Sequence, residues 1–105
     1  MKLKLEKALE PGKYEAVVTR FEEVEGKFGT AAKFIYETDD GQEINELVKL
    51  KYTAKTKLGK RVQEILGNMP EHIELTDLIG KRVVITLVHN DDNPDFPKVS
   101  SVQKA

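Results

Sequence analysis

A run of cationic side chains is the feature of this sequence best suited to bind a ligand. No acidic residue occurs from Leu47 to Gln63, and the same stretch holds six basic ones: Lys49, Lys51, Lys55, Lys57, Lys60 and Arg61. Lysine and arginine at this density neutralise phosphates, which is the sequence-independent part of nucleic-acid binding. A solvated surface segment explains such a run equally well until the fold is considered.

Aromatic rings are the second requirement, because single-stranded nucleic acid stacks its bases on them. The chain has no Trp, three Tyr and four Phe. Phe28 lies between Gly26 and Gly29, and Phe96 lies between Asp95 and Pro97. Both rings are predicted to lie in loops, either exposed or anchoring the loop. Tyr52 ends its strand, so its ring can turn towards the core or towards solvent.

Catalytic signatures are missing from the sequence. The segment 26–30 lacks the spacing of a phosphate-binding loop, and the two histidines, His72 and His89, are far apart in sequence. No serine occurs in the context of a nucleophile elbow. The chain is therefore predicted not to be an enzyme and to need no cofactor.

One acidic loop resembles the start of a calcium site. Asp91, Asn93 and Asp95 alternate oxygen ligands, but Phe96 and Val102 stand where such a loop needs glycine and glutamate. Asn and Asp are also common in turns for reasons unrelated to metals. No metal site is predicted.

Length and charge limit the remaining choices. The chain has 105 residues, 17 basic and 18 acidic, and no cysteine, which excludes disulfides and thiolate chemistry. One domain is predicted over 1–105, with 1–10 as an N-terminal arm. No apolar run is long enough to cross a membrane and no signal-peptide core is recognisable, so a cytoplasmic location is expected. With a net charge of −1, any nucleic-acid role must rest on local charge.

Hydrophobic periodicity and turn residues divide the chain into a simple order of elements. The pattern predicts strands over 13–24, 27–38 and 42–52, a helix over 56–66, a helical turn at 76–78, and strands over 81–89 and 98–103. Thr56 is predicted to cap the helix and Gly67 to end it. The order β-β-β-α-β-β is that of an OB-fold, a five-stranded Greek-key barrel with its helix between strands three and four. An SH3-like barrel and an α+β sandwich are the alternatives.

Alternation along the second and third strands assigns their faces. Phe34 and Tyr36 are predicted to lie in the core. The opposite face is predicted to be exposed and to form the nucleic-acid platform of the barrel; it would carry Lys33, Ile35, Asn45, Leu47, Lys49 and Lys51.

Short phrases spread in order over most of the chain carry a family resemblance. They are the segments 11–16 (PGKYEA), 27–29 (KFG), 55–59 (KTKLG) with Gly67 following, and 77–83 (DLIGKRV). The chain resembles small OB-fold proteins of bacterial and phage origin that are regarded as single-stranded-DNA-binding-like. The resemblance implies single-strand binding in replication or recombination, and a phage-encoded origin is compatible with it.

The resulting hypothesis is sequence-tolerant binding of single-stranded DNA, with RNA as an alternative ligand. Its candidate site consists of Phe28, Lys33, Ile35, Lys49, Lys51, Tyr52, Lys55, Lys57 and Phe96. Because one copy offers few phosphate contacts, a homo-oligomer or cooperative binding is expected. The rival hypothesis is a protein-interaction or structural module, in a replication complex or a virion, whose lysines only confer solubility. An oligosaccharide-binding module would need exposed Trp or Tyr, which this sequence hardly supplies.

Overall fold

Five strands and one α-helix make up most of the fold. The computed structural model describes residues 9–27, 29–92 and 97–105. The elements are β1 (Gly12–Gly26), β2 (Gly29–Thr38), β3 (Glu43–Lys49), α1 (Lys57–Leu66), a 3-10 helix (Leu75–Leu78), β4 (Arg82–Val88) and β5 (Lys98–Lys104). The predicted order of elements is confirmed. The third strand is shorter than predicted and ends at Lys49.

All five strands belong to one antiparallel sheet, in the order β3-β2-β1-β4-β5. The long strand β1 is central: it pairs with β2 along most of its length and with β4 only from Gly12 to Val17. A register shift between Val18 and Arg20 interrupts the β1–β2 ladder, and such bulges bend a strand and increase its twist. Among the described strands, β3 and β5 are the edges and do not pair with each other. The prediction of a mostly β fold with five strands and one helix is confirmed, whereas the predicted closure of the sheet into a barrel is not.

The core lies between the inner face of this sheet and α1. Phe34 and Tyr36 are fully buried, which confirms the prediction that both are packing residues. Phe21 meets Phe34 edge to face, with ring centroids 4.6 Å apart. Three helix residues, Leu58, Val62 and Ile65, are buried on the same core. Burying one such side chain stabilises the fold by about 1.5–3 kcal/mol, so the packing holds α1 against the sheet.

Both ends of α1 are capped as the sequence predicts. The Thr56 hydroxyl accepts a hydrogen bond from the Gly59 N–H at 3.2 Å. Gly67 ends the helix with φ of 84° and donates its N–H to the Gln63 carbonyl at 2.8 Å. The left-handed conformation is strained for residues with a Cβ, so glycine suits this position.

Gly59 sets how closely the first turn of α1 approaches the preceding loop. A Cβ placed on Gly59 would lie 1.9 Å from the Thr53 carbonyl oxygen. Backbone occupies that space, so no rotation of a side chain can relieve the overlap. The absence of a side chain at Gly59 therefore fixes the position of the helix N-terminus, and of the lysines on it, relative to β3.

Gly59→Ala tests this close approach. Glycine to alanine inside a helix normally stabilises by up to about 1 kcal/mol. Here the overlap reverses the sign, and we expect a loss of roughly 1–3 kcal/mol, measured by urea unfolding. Gln63→Ala on the exposed face of the same helix is the control and should change stability by less than about 0.5 kcal/mol. A stabilised Gly59→Ala variant would contradict the contact.

Candidate functional site

A buried ion pair joins α1 to β3. The side chains of Arg61 and Glu46 are both almost fully buried. The Arg61 Nε donates to Glu46 Oε1 at 2.8 Å and its Nη2 donates to Glu46 Oε2 at 2.7 Å. This two-pronged geometry is the strongest form of a guanidinium–carboxylate contact.

Further hydrogen bonds extend the pair to two more strands. Arg61 also donates to Glu64 Oε1 at 2.6 Å and to the Val99 carbonyl at 3.4 Å. The second Glu64 oxygen accepts the Val102 N–H at 3.1 Å. On the other side, the Tyr36 hydroxyl donates to Glu46 Oε1 at 3.3 Å. We call this set, Tyr36, Glu46, Arg61 and Glu64, the seam network, because it bridges the space between the edge strands β3 and β5.

Burial within the seam network shifts the pKa of two groups. Burial alone would lower the pKa of Arg61, but its hydrogen bonds and charge contacts with Glu46 and Glu64 outweigh that effect and raise it. Burial, together with the Glu46 charge, raises the pKa of the Tyr36 phenol well above its ordinary value. Arg61 therefore stays charged and Tyr36 stays a neutral donor at physiological pH.

An open cationic groove lies beside the seam network. It has a volume of about 440 Å³ and is lined by Lys57, Lys60, Arg61, Val88, Lys98, Val99 and Ser100. No described residue that lines it is acidic. Glu46 and Glu64 balance part of this charge, since Glu46 contacts both Arg61 and Lys57. For Lys60 and Lys98 the described residues provide no ion pair, so the groove keeps a net positive charge.

The first turn of α1 adds to this potential. It contains no acidic residue, although acidic side chains are the ones that stabilise the positive end of a helix dipole. Lys57 and Lys60 stand there instead, three residues apart and so on one side of the helix. An anion in the groove would meet two lysines and the helix N-terminus together.

Comparison of the chain with known proteins found no matching family model and no matching curated protein. Among residues 9–27, 29–92 and 97–105, no group of three or more His, Cys, Asp or Glu side chains could hold a metal ion. Within the same ranges, every helix is too short or too polar to cross a membrane.

The predicted cations fall into two separate places. Lys57 lines the groove, and Lys51 and Lys55 are exposed on the connection that leads into α1. Lys33 and Lys49 lie on the outer face of the sheet, on β2 and β3. The predicted cations therefore do not all lie on one surface.

Acidic side chains also lie on this outer face. Glu22 lies 3.9 Å from the Lys33 ammonium and 3.5 Å from the Arg20 guanidinium, and Glu43 lies 3.3 Å from Arg20. A phosphate chain crossing this face would meet carboxylates as well as ammonium groups. The outer face is thus a weaker anion surface than the groove.

Ile35 does not belong to an exposed platform. Its side chain is 1% exposed, so the prediction that it lies on the exposed face is wrong. Ile35 sits in the middle of β2, opposite Arg20 on β1 and Asn45 on β3. Alternation correctly separates it from the core residues Phe34 and Tyr36, and it is not a member of the core cluster. Ile35 lies on β2, between β1 and β3 in the sheet, and a pattern along one strand cannot show how its neighbours bury it.

Of the three aromatic candidates, the structure describes only Tyr52, since Phe28 and Phe96 lie outside the described residues. Tyr52 is half-buried against the core, and its hydroxyl donates to the Pro70 carbonyl. Its ring therefore anchors the segment after β3 to the segment after α1. Among the described residues, no aromatic side chain lines the groove.

Three groove cations, Lys60, Arg61 and Lys98, are absent from the predicted site. Lys60 and Arg61 belong to the basic run, and the spacing of Lys60 from Lys57 on a helix was a usable signal. Lys98 had no such signal, because β5 reaches α1 only through the arrangement of the sheet. Glu46 was also missed, although it falls between Ile44 and Val48 on the buried phase of β3.

The seam network can be tested by removing its charges singly and together. Arg61→Met leaves Glu46 buried without its main partner and should cost about 3–5 kcal/mol of unfolding free energy. Adding Glu46→Leu removes the stranded charge, so the double variant should lose clearly less than the sum of the single losses. Urea unfolding of the three variants measures this. Additive losses would show that the two groups do not act as a pair.

The Tyr36 phenol predicts a specific pH dependence. Because folding raises its pKa, the neutral phenol contributes stability below the unfolded-state pKa of about 10, and this contribution is lost as pH rises through the folded-state value. Tyr36→Phe lacks this titration and costs about 1 kcal/mol near neutral pH through its lost hydrogen bond. The stability gap between wild type and Tyr36→Phe should therefore narrow above about pH 10. A gap independent of pH in urea unfolding would contradict the assignment.

Proposed function

We propose that this chain is a non-catalytic, sequence-tolerant binder of single-stranded DNA. The observation that carries the proposal is the cationic groove between α1 and β5, where Lys57, Lys60, Arg61 and Lys98 converge and none of the described lining residues is acidic. Lys51 and Lys55 extend the positive surface along the connection before the helix. Cationic grooves that follow a phosphate backbone are the electrostatic element of single-strand binding.

The fold supports the same proposal, in which the chain adopts an OB-fold. In that fold a three-strand meander is followed by a helix and two further strands, and the surface of the barrel binds oligonucleotides. Here β1 pairs with both β2 and β4, and α1 lies between β3 and β4 in sequence. The helix contacts both edges of the open sheet through the seam network.

The chemistry of the groove suits the phosphate backbone more than the bases. Lysine acts as a flexible point charge and binds phosphate without fixing its orientation. The Arg61 guanidinium could hydrogen-bond to a base edge, but it already forms ion pairs with Glu46 and Glu64. The groove thus favours binding that tolerates any sequence. With few contacts per copy, useful affinity would come from several copies on one strand.

The proposal predicts that binding depends on the groove lysines and on salt. With about three to five phosphates neutralised, the slope of log affinity against log salt should be roughly −2 to −3.5. Lys60→Glu/Lys98→Glu should reduce the magnitude of this slope by roughly 1–1.5 and weaken binding at least about tenfold. Fluorescence anisotropy with labelled oligo-dT, at several salt concentrations, measures both quantities.

Matched controls separate the groove from general charge. Lys81→Glu changes the charge by the same amount as each single groove substitution. Lys81 precedes β4, at the end of that strand away from Val88. Lys33→Glu tests the outer face of the sheet. Both should bind nearly as wild type. Equal losses in Lys81→Glu and in a single groove variant would overturn the groove as the site. Salt-independent absence of binding would favour the protein-interaction alternative, and tighter binding of oligo-U would assign RNA as the ligand.

A further inference from the structure

A second surface lies towards the opposite end of β1. There the fold forms a small, mainly apolar pocket of about 230 Å³, lined by Phe21, Glu22, Glu23, Ala32, Leu50 and Leu75. Leu50 is 44% exposed, so the pocket opens to solvent. Its volume is below the roughly 300–1,000 Å³ of small-molecule sites. Its size suits a single apolar side chain inserted from a partner.

An open strand edge lies next to this pocket. The β4 strand pairs with β1 only as far as Val17. At Val18, the carbonyl accepts a hydrogen bond from the Gly80 N–H, and the N–H donates to the Lys81 carbonyl. Beyond that point, among the described residues, β1 has backbone partners only on its β2 side. An unpaired strand edge is a template on which another extended segment can add.

The described residues that line the pocket include two carboxylates and no basic side chain. Residues 20–26 of β1 include Glu22, Glu23 and Glu25 with only one basic residue, Arg20. Glu22 is shared between Arg20 and Lys33, whereas Glu23 is an exposed member of the pocket lining. A polypeptide with lysine or arginine beside an apolar residue complements this lining in both charge and shape.

We infer that the pocket and the adjoining edge of β1 dock an extended protein segment that inserts one apolar side chain and carries basic residues on either side of it. The segment would add to β1 beyond Val18 through backbone hydrogen bonds. Its apolar side chain would contact Phe21, Leu50 and Leu75, and its basic side chains would lie near Glu22 and Glu23. When a peptide adds to a sheet edge, the backbone hydrogen bonds provide affinity and the side-chain pocket provides specificity.

This inference does not depend on the proposed function. Gly12 pairs with Leu87, beside the groove residue Val88, whereas Phe21 lies nine residues further along β1. At about 3.3 Å per residue, these nine residues span at most roughly 30 Å of strand. No described residue lines both the groove and the pocket, so the two ligands would contact different side chains.

A synthetic peptide provides the probe: lysine alternating with valine around one central phenylalanine. Titrated into the isotope-labelled full chain, it should shift the amide resonances of Phe21, Glu23 and Leu75. Leu50→Lys, which places a cation in the pocket mouth, should weaken binding by about tenfold, and Glu23→Lys should do the same. Leu47→Lys is the matched control, because Leu47 is 59% exposed on the outer face of β3, outside the pocket lining; it should bind as wild type.

The same titration contains the outcomes that would overturn the inference. A lysine–serine peptide that binds as tightly would show charge attraction without a pocket. Equal affinities of the Leu50→Lys and Leu47→Lys variants would show that the pocket is not used. If oligo-dT shifted the same amides, the surface would belong to nucleic-acid binding instead. If both proposals hold, the groove variants should lose oligo-dT binding and still bind the peptide as wild type.

Discussion

The buried contact between Glu46 and Arg61 is the constraint on which the arrangement of this fold depends. Apolar packing alone would hold α1 against the sheet, but it would leave polar groups on the free edge of β5 without partners. Arg61 and Glu64 supply those partners at the Val99 carbonyl and the Val102 N–H. Buried backbone groups need such partners, which gives a physical reason for an ion pair where hydrophobic residues would often be equally stable.

That contact also determines where the positive charge collects. Arg61 is largely neutralised by two carboxylates and turned inward, while Lys60 on the same helix faces the groove with Lys98. The Thr56 cap and the close approach at Gly59 hold the first turn of the helix in place. A nearly neutral chain can therefore present a local positive surface, because its acidic residues lie mainly on the β1–β2 hairpin, the turns and the outer face.

The elements were predictable because their signals are local. Alternation located the strands, and Thr56 and Gly67 located the ends of the helix. The site was only partly predictable, because it depends on which edges of the sheet meet. Nothing near Lys98 in sequence indicates that it lies beside Lys57, and a carboxylate between Ile44 and Val48 is recognisable as buried only once Arg61 is opposite it. Ile35 shows a related limit: its phase was correct, but its burial could not be predicted from the pattern along β2 alone.

The free strand edges of this sheet are handled by two different physical means. On β5, side chains of α1 occupy the polar backbone groups directly, so a further strand would have to displace a buried ion pair. On the distal half of β1, glutamates line the edge instead. Two copies aligned along that edge would bring like charges together, which disfavours self-association. The same charges favour a basic segment. Such an edge is selective: like charges disfavour pairing with its own copy, and the same charges favour the cationic segment proposed above.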